Sequence, residues 1–270
     1  MTINDAPRTS QAYGDILSPS TMDRLRYPRE YTYFLIAAIV GGLIWFLLFL
    51  SSFGLILFYV AMIGGLLALA SLFFRAQVLG NSVMVTDQQF PTIDALVKEG
   101  AYSLGIEAPR TFVVPGNGVL NAFAIRFISS RYVVLHSNVV DFALQRNQIE
   151  ELRFIILHEL THHAAGHTGL WKNLLIAPAS FIPFLGSAYS RACEYTCDSV
   201  AAYLIKDRTV SCRALLMLAH GSMALADEVD LERFTSQERL IPPFVGFLNE
   251  IISSHPRLTR RVLEIKNNQY

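Results

Sequence analysis

Residues 31–74 form an unbroken run of 44 positions without a charged side chain. A helix crossing the hydrocarbon core of a bilayer takes roughly 20 apolar residues, so the run is long enough for two crossings. It weakens once, at "SSFG" (residues 51–54), which predicts two helices over about 33–50 and 53–74 joined by a very short turn. Neither segment carries the polar face that a helix on the surface of a soluble core would show. The run is too long, and starts too late, for a cleaved leader. Two crossings return both flanks to one side. Arg24, Arg26 and Arg29 before the run and Arg75 after it place that side in the cytoplasm.

Composition agrees. Apolar residues make up 52 % of the chain and charged ones 16 %, against about 25 % charged in a typical soluble domain, and the mean hydropathy is +0.37. Formal net charge is zero and no basic run stands out, which excludes an electrostatic track for nucleic acid. The three cysteines, Cys193, Cys197 and Cys212, do not pair into a complete disulfide framework and suit a reducing compartment. Residues 1–23 show no periodicity and read as a loosely attached segment.

From residue 77 the pattern is that of a folded domain. Helical spacing covers 90–105, and strands are predicted at 109–116, 121–127 and from 131 toward 140, with short turns that favour antiparallel pairing. Asn147 as cap and Glu150 three residues on predict a helix from 148 to 165, stopped by Gly166. Further helices are predicted over 190–205, 211–227 and the basic stretch at the end of the chain.

The helix at 148–165 holds the chemistry. Four of seven histidines fall in the ten residues 158–167, and His158, Glu159 and His162 read H-E-x-x-H. Residues four apart share a helix face, so two imidazoles meet one metal ion while the glutamate reaches the metal-bound water as a base. A histidine-rich C-terminal turn also suits the helix dipole, but that does not account for Glu159. A third ligand is needed. The extended pattern with glycine at 165 and histidine at 168 fails by one place at each position. Glu194 in "RACEYTCDSVA" is the favoured donor and Cys197 its rival. Asp198 follows Glu194 by four residues and could hold the outer nitrogen of a ligand histidine.

"HELTHH" followed by "EYTCDSVA" resembles the membrane zinc metallopeptidases related to the heat-shock protease HtpX and the CAAX prenyl protease Ste24. "NAFA" (residues 121–124) and "SHPRLTRR" (254–261) are similar to that family's strand motif and C-terminal His-Pro motif, in the same order. The resemblance covers residues 91–265. It implies one zinc ion per chain on His158, His162 and Glu194, with Glu159 as general base. It also implies Asp198 as support, His255 near the metal to steady the oxyanion, Arg261 as a structural or substrate-contacting charge, and Asn121 opening an edge strand that pairs with substrate backbone. Thr161 stands where the family usually has glycine. With two clear spans the chain looks more like the HtpX branch.

The fold expected is α+β: residues 1–30 as a juxtamembrane segment, a transmembrane helical hairpin over 31–75, and a mostly helical zincin-type domain over 76–270 with a small antiparallel sheet. Residues 173–189 are uncharged and hold Pro178 and Pro183, too broken for a straight span. They are expected to form a loop or hairpin dipping into the membrane interface, with 240–252 extending the apolar wall. The function expected is cleavage of unfolded or membrane-associated proteins at the cytoplasmic face of a bacterial inner membrane. The partners are a protein or peptide substrate and the lipid bilayer. The rivals are a processing enzyme with one dedicated peptide or lipidated substrate, and a non-catalytic zinc-containing adaptor.

Overall fold

A computed structural model of the chain describes residues 15–116, 122–127, 130–222 and 225–268. It begins with α1 (Pro19–Leu25), where the Ser18 hydroxyl accepts the Thr21 N–H and proline opens the first turn. Part of the stretch read as loose is therefore helical, and Leu17 N–H ties it to Ser103 O at 2.7 Å.

The uncharged run forms α2 (Glu30–Ser51) and α3 (Leu55–Asn81), turned by Gly54 at φ 85°. The two helices meet their surroundings differently. No residue of α3 is buried, whereas α2 buries Glu30, Ala37 and Gly41. A Cβ on Gly41 would fall 2.3 Å from Leu175 O, so glycine there lets another backbone lie directly on the helix.

Four strands make the sheet: β1 (Val83–Met84), β2 (Arg110–Val114), β3 (Ala122–Phe127) and β4 (Ser130–His136), in the order β1-β2-β4-β3. The sheet is mixed rather than antiparallel. β3 and β4 form an antiparallel pair, but β4 then lies parallel to β2, with Phe112 opposite Val134. The cause is strand order: β3 takes the edge, and its return strand fills the gap beside β2. The third strand also ends earlier than expected, at His136, because α5 (Ser137–Gln145) starts at once and buries Val139, Val140, Phe142 and Ala143.

α4 (Pro91–Ser103) packs on α6 (Ile149–Ala164), where a Cβ on Gly100 would meet Leu160 and Leu157 side chains at 2.8 and 3.1 Å. α6 is the central element. It buries residues on all sides and touches α4, α5, β3 and β4. Its entry differs from expectation. Asn147 adopts a left-handed backbone (φ 55°), Gln148 occupies the cap position, and no side chain caps the helix.

α7 (Leu170–Ile176) and a 3-10 turn (Ala177–Phe181) occupy the stretch expected as a loop, followed by α8 (Leu185–Ile205), which starts five residues before its predicted place. α9 (Arg208–His220) is capped by Asp207 and stops at Gly221, short of the predicted 227. α10 (Leu231–Ser236), a 3-10 turn (Gln237–Leu240), α11 (Pro243–Ile252) and α12 (Leu258–Asn267) complete the chain, with Val262 and Ile265 of α12 fully buried against the common core. α8 and α9 pack against α6, and α12 packs against both α8 and α9. The molecule is mostly helical with one small sheet and two apolar N-terminal helices.

Candidate active site

One turn of α6 aims His158 and His162 the same way, their rings edge to face with centroids 5.2 Å apart. α8 crosses beneath them and supplies Glu194. Its Oε2 lies 3.5 Å from His158 Nε2, and its Oε1 lies 3.4 Å from His162 Nε2. Glu194 is buried, and burial alone would raise its carboxyl. Bonds from His158, His162 and His255, together with the Arg261 charge, hold it well below the ordinary range.

One turn along α8, Asp198 Oδ1 sits 2.9 Å from His158 Nδ1, which leaves Nε2 directed at Glu194. Arg261 of α12 grips both Asp198 oxygens, Nε to Oδ2 and Nη2 to Oδ1, each at 2.7 Å, and its Nη1 lies 3.2 Å from Glu194 Oε2. Burial opposes ionisation of Asp198, and Arg261 overrides it and keeps the carboxyl below its usual value. Burial would likewise lower His158, yet Asp198 and Glu194 raise it to about 10. This environment asks for positive charge.

His255 enters from the segment before α12. Its side chain is 67 % exposed, yet Nδ1 reaches Glu194 Oε2 at 3.2 Å. Glu159 is buried and lines the same cavity, of about 310 Å³, with His158, His162, Glu194, His255 and Ala122, Phe123 and Ala124 of β3. Asn121 lies outside the described residues. Thr161 fits without strain, its hydroxyl donating to Leu157 O at 2.7 Å inside the helix.

The other histidines of the cluster diverge. His163 turns to β4, with Nε2 3.1 Å from Tyr132 O. His167, beyond the helix, places Nδ1 3.2 Å from His162 Nδ1 and Nε2 3.2 Å from Glu30 Oε1. Neither His167 nor Glu30 was singled out from sequence. The contact spans 137 positions, and only an ionised residue at the border of the apolar run hinted at it.

The donor set suits zinc. Two imidazole nitrogens and a carboxylate converge, and three carboxylates (Glu159, Glu194, Asp198) against one guanidinium (Arg261) give a formal charge of −3 + 1 = −2, which a dication balances. Cys197 Sγ also comes within 4.8 Å of donor atoms on His158 and His162. A thiol binds metal as thiolate, and burial pushes this one well above its ordinary value. The ionised Glu194 is the better donor.

The sequence matches Peptidase family M48 over residues 87–170 and 168–269, more than half of the chain. The chain belongs to peptidase family M48. This is the metallopeptidase family of HtpX and Ste24, whose motifs the chain resembles. The chain is also similar, at 28 % identity over 176 residues, to the plastoglobule-localized metallopeptidase 48, chloroplastic, of Arabidopsis thaliana. That match takes in 60 % of this M48 chain and 49 % of the relative, so the chain spans about half the length of the curated relative it matches.

Proposed function

We propose that this M48 chain is a zinc-dependent, membrane-bound endopeptidase that cleaves unfolded or membrane-associated proteins at the cytoplasmic face. The observation that carries the reading is the convergence of His158, His162 and Glu194 in a cavity that also holds Glu159 and one face of β3. Zinc on those three ligands would polarise the scissile carbonyl and acidify a water molecule. Glu159 takes the proton of the attacking water and passes it to the leaving amine. His255, exposed on one side and directed at the site on the other, donates to the oxyanion. β3 is the end strand of the sheet, beside β4, and in this reading an extended substrate adds to its outer side.

Membrane attachment rests on the two apolar helices, their exposed surfaces and the arginines that flank them. The path of α7 supports a dip of residues 173–189 into the bilayer. Gly41 lies eleven residues past Glu30, about 16 Å along α2 at 1.5 Å per residue, and Leu175 packs on it. Trp45 Nε1, deeper still, donates to Leu174 O at 3.0 Å. Such a bond satisfies a backbone carbonyl where no water can.

The test is paired. Wild type and Glu159→Gln, in detergent or bilayer, are measured for bound zinc and for casein cleavage. One zinc per chain in both, with cleavage at least about 1000-fold lower in the variant, is the expected result. Zinc without casein cleavage by wild type would point to a dedicated substrate or an adaptor. Folded wild type without zinc would sink the proposal.

A further inference from the structure

The two metal-facing histidines are held from behind in different ways. His158 leans on Asp198 directly, through its Nδ1 at 2.9 Å. His162 turns its Nδ1 to His167 Nδ1 at 3.2 Å, and His167 Nε2 in turn lies 3.2 Å from Glu30 Oε1. Both His167 and Glu30 have side chains only 4 % exposed.

Proton bookkeeping orders this chain. A neutral histidine that offers Nε2 to a metal carries its proton on Nδ1. That N–H donates to His167 Nδ1, which is then the acceptor. His167 therefore carries its own proton on Nε2 and donates it to Glu30. Glu30 Oε1 also accepts from Arg26 Nη1 at 2.6 Å, and Oε2 accepts from the Thr196 hydroxyl. The Thr196 oxygen accepts the Tyr27 N–H at 2.9 Å. Every link has a donor facing an acceptor. Cys197 Sγ stands 3.6 Å from the same His167 Nδ1, farther off than the His162 nitrogen.

Glu30, His167 and Cys193 also bring possible ligand atoms within 4.8 Å of one another. Two cations already serve that corner. Arg26 binds Glu30, and Lys172 lies over the Phe34 and Tyr189 rings at 4.6 and 5.3 Å and acts on Cys193. A second metal ion would have to compete with both.

We propose that Glu30 and His167 are positioning residues, a carboxylate–histidine relay that fixes the ring and tautomer of His162. The first turn of α2 is thereby part of the metal centre. The inference rests on the zinc reading above. Asp198 does for one ligand what the relay does for the other, and the relay reaches across to the apolar helix to do it.

The experiment uses the full chain in detergent, with zinc affinity read by chelator competition and the site's geometry read from the visible absorption of the cobalt(II)-loaded protein. Glu30→Gln and His167→Leu should each weaken zinc by about 10–100-fold and shift the cobalt bands. The double variant should lose no more than His167→Leu alone. His167→Asn keeps an acceptor near the position of Nδ1 and should recover most of the loss. If Glu30→Gln does not fold, the comparison of Asn with Leu at position 167 decides. Folded His167→Leu that binds zinc within twofold of the parent, with unchanged cobalt bands, would overturn the relay alone. A second zinc per chain that disappears in Cys193→Ala would overturn it in favour of a second site. A folded parent that binds no zinc would overturn both the relay and the zinc reading.

Discussion

Asp198 combines full burial with three charge-assisted contacts, two from Arg261 and one to His158. Its removal therefore acts twice. Asp198→Asn leaves the buried Arg261 guanidinium with Glu194 as its remaining carboxylate, and its cost should stay below the roughly 3–5 kcal/mol of a buried charge left wholly unpaired. It also replaces the charged acceptor behind the His158 ring with a neutral amide, with an expected fall of about 10–100-fold in zinc affinity. Denaturant melts and chelator competition on one preparation read the two effects separately. An Asp198→Asn protein with parental stability and zinc affinity would show that this support is not needed. His255 is the opposite case. Its exposed side chain contributes one contact to Glu194, so its substitution should spare the fold.

The placement of α12 depends on a carboxylate outside the site. Glu238, in the 3-10 turn before α11, accepts from Arg257 Nε at 3.2 Å, Arg260 Nε at 2.7 Å and the Thr259 hydroxyl at 2.6 Å. Burial works against its ionisation, but these bonds bring the carboxyl down to about 2. A carboxyl with a folded pKa below its unfolded value stabilises fully above the unfolded value, about 4.3, and the stabilisation fades as pH falls toward the folded one. Stability should therefore drop between about pH 4.5 and 2. Glu238→Gln should remove that component and cost about 1–2 kcal/mol at neutral pH, as read by melts across pH. A parallel pH profile in the variant would rule the clamp out.

Elements of this kind were unevenly legible in the sequence. The apolar pair and the H-E-x-x-H helix follow from composition and a period of 3.6, which act locally. Glu194 follows from the need for a third donor on a later helix, and Asp198 from its place one helix turn beyond Glu194. The parallel pairing of β2 with β4 was not legible, because strand order depends on where β3 is placed and not on any one strand's pattern. Asn147 was a reasonable cap by residue type, but the chain enters α6 through a left-handed turn at that residue. α7 escaped notice because its seven residues have too little length for a period to register.

At the scale of the molecule, the site is a junction. α6, α8 and α12 each supply part of it, and α2 touches its outer rim through Glu30. An ion bound where these elements meet stabilises all of their mutual packing. Zinc at 1000 times its Kd contributes about 4 kcal/mol, and a chain of this size responds by about 2–4 °C per kcal/mol. Stripping zinc with a chelator should lower the melting temperature by on the order of 10 °C, and readdition should restore it. An unchanged melt in protein shown to hold zinc would argue that the ion does not tie these elements together. The position of Arg261 has a consequence in time. His158 is synthesised 261 − 158 = 103 residues before the guanidinium that completes its support. At about 5–20 residues per second, translation leaves the histidine helix without that partner for roughly 5–20 seconds. The support of His158 is thus completed well after the two apolar helices, which precede it in the chain, have been synthesised.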